Sequence, residues 1–282
     1  MVDLHVHSNR SDGSYTPREL VDYALEKGLS AFALTDHDTT AGISEAVSYA
    51  EGKPLEVIPG VELSTEYEGR DIHIVGLYIN QSMPGFAEYL KEFQNSRELR
   101  NEKMCERLRA YGINITLEEL KLEFPGAVIT RGLYAKYMLK KGYIKSMTEA
   151  FDRYIGDHGP CFVAREKITP EQAVGFIKSA GGLSILAHPP LYRMSRARLE
   201  ILVARLKAAG LDGIEAKYTT YSSTEEREMK EIAAKFDLAI SGGSDFHGTT
   251  KPKTDLGIGY GSLYIDESVL AHLKSLLVTP AQ

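Results

Sequence analysis

The chain has 282 residues, 43% of them hydrophobic and 26% charged, the composition of an ordinary folded protein large enough for one domain or for one domain carrying an insertion. Its formal net charge of -6 argues against binding duplex nucleic acid through a broad basic face, though a local basic patch remains compatible. No apolar run approaches the ~18 residues of a membrane span, the two cysteines are too few for a disulfide framework, and "MVDLHVHS" has neither the basic start nor the apolar stretch of a signal peptide, so a cytoplasmic protein without membrane contact is expected.

In chain order, "VDLHVH" reads as a strand, and "TPRELVDYALEKG" as a helix with Thr16 as N-cap, Pro17 at its first position and Gly28 as its stop. "AFALTDHD" is a second strand and "TAGISEAVSYAEG" a second helix. "EVIPG" and "VELSTEY" follow as strands, the latter turning at "EGRD" into "IHIVGLYI", a hairpin signature. From about Gln81 to Gly159 the pattern is helical, with one long helix, "GFAEYLKEFQNSRELRNEKMCERLRAYG", and shorter ones at "LEELKLEF", "RGLYAKYMLKKG" and "MTEAFDRYIG". After Thr169 alternation resumes through strands "LSILAHP", "GIEAKY" and "LAISGGSDFH", each preceded by a helix, and "ESVLAHLKSLL" closes the chain. Repeated strand–helix units, about seven of them, predict a parallel sheet closed or nearly closed into a barrel. The boundaries are expected at residues 1–80 and 160–282 for the barrel, and 81–159 for an inserted helical subdomain.

In parallel α/β folds functional groups collect at the carboxyl ends of strands. Following each strand to its end yields His5 and His7 with Asp12, then Asp36, His37 and Asp38, then Glu62 with His73 on its hairpin partner, then His188, and finally Asp245 with His247. Only His158 and His272 fall elsewhere. His5 and His7, two apart on a strand, share a face. A lone histidine at a strand end is more often a hydrogen-bonded packing residue, but six converging on one place would leave buried nitrogens unpaired unless cations held them. Neutral imidazoles interspersed with carboxylates are the ligands of divalent transition metals, so a multinuclear metal site is expected.

The motifs "HVH", "TDHD", "GVE", "AHP" and "GSDFH", in this order, resemble the PHP (polymerase and histidinol phosphatase) family, and the insertion together with "KPKTDLGIG" resembles its TrpH-like branch. The resemblance covers the whole chain. It implies a distorted (β/α)7 barrel and metal-dependent phosphoesterase activity, on 3′,5′-nucleoside bisphosphates or on short RNA from its 5′ end. It also implies three divalent ions, manganese, iron or zinc. His5, His7, Glu62 and Asp245 would hold the first, Glu62, His73 and His188 the second, and Asp12, His37 and His247 the third. Asp245, Glu62 and His37 are the groups expected to act nearest the reacting phosphate. Asp36 and Asp38 match positions behind the ligands, where a carboxylate fixes an imidazole tautomer; capping of the following helix by Asp38 is a compatible alternative. Three divalent ions exceed the charge of Asp12, Glu62 and Asp245, so the site calls for an anion: a hydroxide between the cations and a phosphate ester, attacked in line.

"RGLYAKYMLKKGYIK" carries Arg131, Lys136, Lys140, Lys141 and Lys145 with no acidic residue, a positive face able to take a second phosphate or a short nucleic-acid backbone, or simply a solvated helix face. Arg131, Lys136 and Arg165 are the candidate phosphate contacts; Tyr134 and Tyr137 could stack on a base, although their helical spacing favours core packing. The branch pattern reads Arg-Pro-His where this chain has Arg131, Gly132 and Leu133, one polar contact fewer. The expected partner is therefore a small phosphorylated molecule, a nucleotide or short oligonucleotide, with no stable protein partner. Two other readings remain: an amidohydrolase, which also opens on His-x-His and for which Lys217 would be the carboxylated bridge, and a metal-binding module without turnover.

Overall fold

A computed structural model of the chain describes residues 1–156, 158–163 and 168–277, with the backbone alone for residues 92–94 and 96. The first half contains β1 Val2–Val6, α1 Pro17–Glu26, β2 Ala31–Leu34, α2 Ile43–Ala50, β3 Glu56–Tyr67 and β4 Arg70–Leu77. Helices α3 Pro84–Ala110, α4 Leu117–Glu123, α5 Arg131–Lys140 and α6 Met147–Ala150 follow, the last running into a π-helical turn at Phe151–Ile155. The remainder alternates again: α7 Pro170–Ser179, β5 Leu183–Leu186, α8 Arg196–Ala208, β6 Gly213–Tyr218, α9 Ser223–Lys235, β7 Ala239–Gly243 and α10 Glu267–Leu277. No helix among the described residues is long and apolar enough to cross a membrane.

Local chemistry sets the helix starts. Thr16 accepts from Glu19 N while Glu19 reaches back to the Thr16 backbone, with Pro17 at the first turn; Thr169 with Gln172 and Ser222 with Glu225 repeat the device. Each such cap stabilises its helix by about 1 kcal/mol and fixes where the chain turns away from the sheet.

The seven strands lie in the order β1 to β7. The sheet then curls until the residues after β7 meet β1: His7 N donates to Phe246 O at 3.0 Å and Asp245 N to His5 O at 2.9 Å. Gly243 permits this approach, because a Cβ there would lie 2.3 Å from His5 Cβ. The result is a nearly closed α/β barrel.

Its sheet is not uniformly parallel, because the hairpin expected at "EGRD" reverses one strand. β3 is one twelve-residue strand rather than two, and β4 runs antiparallel to both β3 and β5. The cause lies at Glu68 and Gly69, with φ of 51° and 73° between the paired Tyr67 and Arg70. Positive φ at both central residues makes the tight turn that matches strand twist and sends β4 straight back along β3. The chain leaves β4 through the helices α3–α7 and re-enters at β5 in the original direction.

Inside the barrel Val2, Leu4, Ile58, Val75, Leu77 and Ile185 are buried together. The helices between β4 and β5 bury a cluster of their own, including Met104, Leu108, Leu120, Leu133, Tyr134 and Met138.

Candidate metal centre and adjoining cleft

Glu62 is the hub of the site. It is 1% exposed, and five imidazoles converge on its carboxylate. Oε1 lies 2.8 Å from His73 Nδ1 and 3.0 Å from His188 Nε2, while Oε2 lies 3.0 Å from His37 Nδ1 and 3.3 Å from both His5 Nε2 and His7 Nε2. Asp245 Oδ1 sits 3.2 Å from His7 Nε2 and 3.3 Å from His247 Nδ1. Asp12 completes the arc, 3.2 Å from His247 Nε2 and 3.9 Å from His37 Nε2. All nine residues singled out as ligands thus meet in one place, although they come from six strands and the loops that follow them. His158 and His272 are exposed elsewhere on the chain.

Mutual charge tunes the cluster. Burial opposes charge on Glu62, but His37, His73 and His5 outweigh it and hold the carboxyl well below its usual range. Burial likewise opposes ionisation of Asp245, which Lys251, His247 and His5 keep ionised. Burial also works against a proton on His5, yet Glu215, Glu62 and Asp245 raise its basicity well above normal. His247 goes the other way: burial, then Lys251 and His7, bring it down to about 4.

The donor set fits divalent cations by a direct observation. His5 Nε2, both His7 nitrogens, His37 Nδ1, His188 Nδ1 and Asp12 Oδ1 are buried without an aligned hydrogen-bond partner. A buried polar atom left unsatisfied costs about 1–3 kcal/mol, and six in one cluster is a price that coordinate bonds remove. Three groups have ligand atoms within 4.8 Å of one another: His5, His7 and Asp245; His37, Glu62 and His73; and His7, Asp12, His37 and His247. His188 and Asp245 hold φ of 32° and 55°, each costing about 1–2 kcal/mol for a side-chain-bearing residue, a strain that persists where the surroundings dictate the orientation.

Several residues take other positions than the sequence suggested. Asp36 lies close enough to His7 for their charges to interact but makes no hydrogen bond to an imidazole among the described residues; it accepts from Ser8 N at 2.8 Å, Ser8 Oγ at 2.5 Å and Ser11 Oγ at 2.6 Å, pinning the loop that carries Asp12. Asp38 accepts from Ser64 N at 2.9 Å and pairs with Arg97. The N-cap of α2 is instead Gly42. Lys136 donates to Gly13 O at 3.2 Å and braces the same loop. Lys140 pairs with Glu123 and Lys141 lies 5.3 Å from the Tyr137 ring, so the basic stretch is mostly a solvated face. Tyr134 and Tyr137, by contrast, are buried in the helical cluster as their helical spacing favoured, and Leu133 joins them. Arg165 lies outside the described residues.

Other residues at the site carry no motif that would have marked them. Glu215 accepts from His5 Nδ1 at 2.9 Å and from His188 N at 2.7 Å, bracing two imidazoles with one carboxylate. Asp245 Oδ2 accepts from Tyr218 Oη at 2.5 Å and Lys251 Nζ at 2.6 Å, which leaves Oδ1 for the histidines. The strand "GIEAKY" offered Lys217, but a register shift between Glu215 and Lys217 breaks the alternation of β6. Glu215 therefore points into the barrel, while Lys217 Nζ donates to Tyr264 O at 2.9 Å on the outside. Lys217 is thereby excluded as a carboxylated-lysine bridge.

The cluster opens into a cleft of about 540 Å³, lined on the barrel side by Asp12, His37, His73, His247 and Lys251 and on the helical side by Arg97, Arg100 and Arg131. Arg131 is aimed by Asp71, which accepts from its Nη2 at 2.6 Å. Gly132 sits at the rim, where a Cβ would come 3.0 Å from Asp12 Oδ2.

Buried imidazoles and carboxylates at the mouth of an α/β barrel, opening on arginines, define a protein built to hold cations and an anionic ligand together. The sequence matches the PHP domain model over residues 3–106. It is 39% identical to a 5′-3′ exoribonuclease of Haemophilus influenzae, over 87% of this chain and 89% of that protein. It is 33% identical to a 3′,5′-nucleoside bisphosphate phosphatase of Chromobacterium violaceum over 99% of both. Among solved structures, a Chromobacterium violaceum protein described as an amidohydrolase, with bound sulfate and no metal, superposes with a TM-score of 0.87 at 32% identity, covering 97% of this chain and 96% of that one. A Bifidobacterium adolescentis protein assigned as a metal-dependent phosphoesterase gives 0.86 at 27% identity, covering 97% and 95%. The chain belongs to the PHP family of metal-dependent phosphoesterases.

Proposed function

We propose that the protein hydrolyses phosphate esters of nucleotides, either 3′,5′-nucleoside bisphosphates or short RNA, using three divalent transition metal ions. The observation that carries this reading is Glu62 set among five imidazoles, 2.8–3.3 Å away, two of which, His37 and His73, line a cleft whose other wall bears arginines. His5, His7, Glu62 and Asp245 would hold one ion, Glu62, His73 and His188 a second, and Asp12, His37 and His247 a third. The relatives named for nucleoside bisphosphates and RNA support the substrate class.

When bound, the cations would supply an acidified water and positive charge for the phosphoryl oxygens. The chain's own residues do the rest. Tyr218 and Lys251 fix Asp245 in one orientation, and Asp36 and Thr130 hold the Asp12 loop, Thr130 Oγ1 donating to Asp12 Oδ2 at 3.0 Å. Arg131 offers its guanidinium to a phosphate at the rim. On this reading residues 1–80 and 160–282 form the catalytic barrel, and residues 81–159 an inserted unit that lays Arg97, Arg100 and Arg131 over its mouth.

The test is phosphate release from nucleoside 3′,5′-bisphosphates, and mononucleotide release from short oligoribonucleotides, by chelator-treated protein reloaded with manganese, iron or zinc, with metal content measured by emission spectroscopy. Near three ions per chain and metal-dependent release are expected. Asp245→Asn should abolish hydrolysis and retain the circular dichroism of the fold; full activity in that variant refutes the scheme.

A further inference from the structure

The cleft contains one feature that cations and arginines do not explain. Phe151 is a large apolar side chain left 36% exposed, and among the described residues it is the only one of the exposed large hydrophobics that lines this cleft. Phe162, Met147 and Val163 line the same wall. Scattered surface hydrophobics need no explanation; an aromatic side chain lining a cleft that also bears arginines and imidazoles does.

The backbone presents Phe151 deliberately. It is the first residue of the π-helical turn Phe151–Ile155, whose other end, Ile155, is fully buried in the helical cluster. Gly156 N closes the turn on Phe151 O at 3.0 Å. A π turn inserts a residue and re-aims the side chains before it, which is why such turns recur at functional sites. Arg131 ties the arrangement together. Its Nη1 donates to Ile155 O at 3.4 Å, its guanidinium lies 5.3 Å from the centre of the Phe162 ring, and Asp71 holds its other nitrogen. An aromatic surface and a cation fixed against the same turn are the two elements that bind a base and its neighbouring phosphate.

We propose that Phe151, with Phe162 lining the same cleft, is a stacking platform for the nucleobase of the substrate, selecting nucleotides over other phosphate esters through the face of the ring and not its edges. This rests on the nucleotide reading above. Every base has a π face, so adenine, guanine, cytosine and uracil are accepted within a few-fold of one another, unlike in a pocket that reads hydrogen-bonding edges. The platform takes the role that Tyr134 and Tyr137, buried in the core, do not fill.

The experiment compares adenosine 3′,5′-bisphosphate with its abasic counterpart on the metal-loaded full chain, by calorimetric Kd and by KM for phosphate release. Phe151→Ala should weaken the adenosine ligand roughly fivefold or more, the loss of one base–aromatic stack, leave the abasic ligand unchanged and spare the melting temperature. Phe151→Tyr should restore wild-type values, and the cytidine and uridine ligands should lose affinity alongside adenosine. Equal losses for nucleotide and abasic ligand, no loss at all, or a wild-type protein that binds both equally overturns the platform. Failure of both esters to be hydrolysed sinks the phosphoesterase reading instead, and the calorimetric comparison still decides the stacking. Absence of binding by either ligand also overturns it.

Discussion

Replacing Glu215 by Gln keeps the side chain's size and removes its charge, and its consequences can be followed atom by atom. The carboxylate accepts from His188 N at 2.7 Å and from His5 Nδ1 at 2.9 Å, in a setting 2% exposed. Gln has one acceptor for these two donors. The backbone N–H of His188 cannot reverse its role, so the amide oxygen stays there and the amide NH2 faces His5 Nδ1. His5 must then accept at Nδ1 and carry its hydrogen on Nε2, the nitrogen aimed at Glu62 Oε2 3.3 Å away. That hydrogen occupies the lone pair a cation needs. Loss of a partner behind a metal-bound histidine costs 10–100-fold in affinity, about 1.4–2.8 kcal/mol. One charge-assisted hydrogen bond, about 1.5–3 kcal/mol, goes with it. Calorimetric titration of chelator-treated protein with manganese should show the tightest site weakened by that factor, with the circular dichroism unchanged. Wild-type affinity and stoichiometry in Glu215→Gln would refute the claim that this carboxylate sets the His5 tautomer.

Gly243→Ala should destabilise the protein by about 1–3 kcal/mol or more in urea denaturation, since the new methyl would overlap His5 where the barrel closes; an unchanged midpoint would show that β7 can move away freely. Lys217→Met should leave phosphate release and metal content as in wild type, because its ammonium binds Tyr264 O outside the barrel, whereas loss of bound metal would revive a lysine bridge. In metal-free protein His247 is neutral when folded down to about pH 4, against 6.5 for an ordinary histidine. The unfolded chain therefore takes up a proton that the folded one refuses as pH falls from 6.5 to 4, and His247 should cost about 3 kcal/mol of stability across that window. Urea midpoints measured at several pH values should fall less steeply in His247→Gln; an identical slope would contradict the depressed basicity.

The elements were written locally. Capping residues such as Thr16 with Glu19 and Pro17 start the helices where the sequence places them, and Glu68–Gly69 forces the hairpin that carries Glu62 and His73. Because strands of a barrel deliver their ends to one rim, histidines and carboxylates at those ends could be read as one cluster before any contact was known. Asp36 and Asp38 were legible as acids at a strand end on that rim, but not their serine partners, which lie 25 to 28 residues away in sequence.

What the sequence determined alone is thus the set of polar residues and the face on which His5 and His7 stand, since period and capping act over a few residues. Tertiary structure decided the rest. The pairing of β4 with β5, the bulge that turns Glu215 inward and Lys217 outward, and the meeting of Arg97, Arg100 and Arg131 with the barrel rim depend on strand register and on packing between segments far apart in sequence. Such pairings are chosen by the whole core and leave no short-range pattern to read.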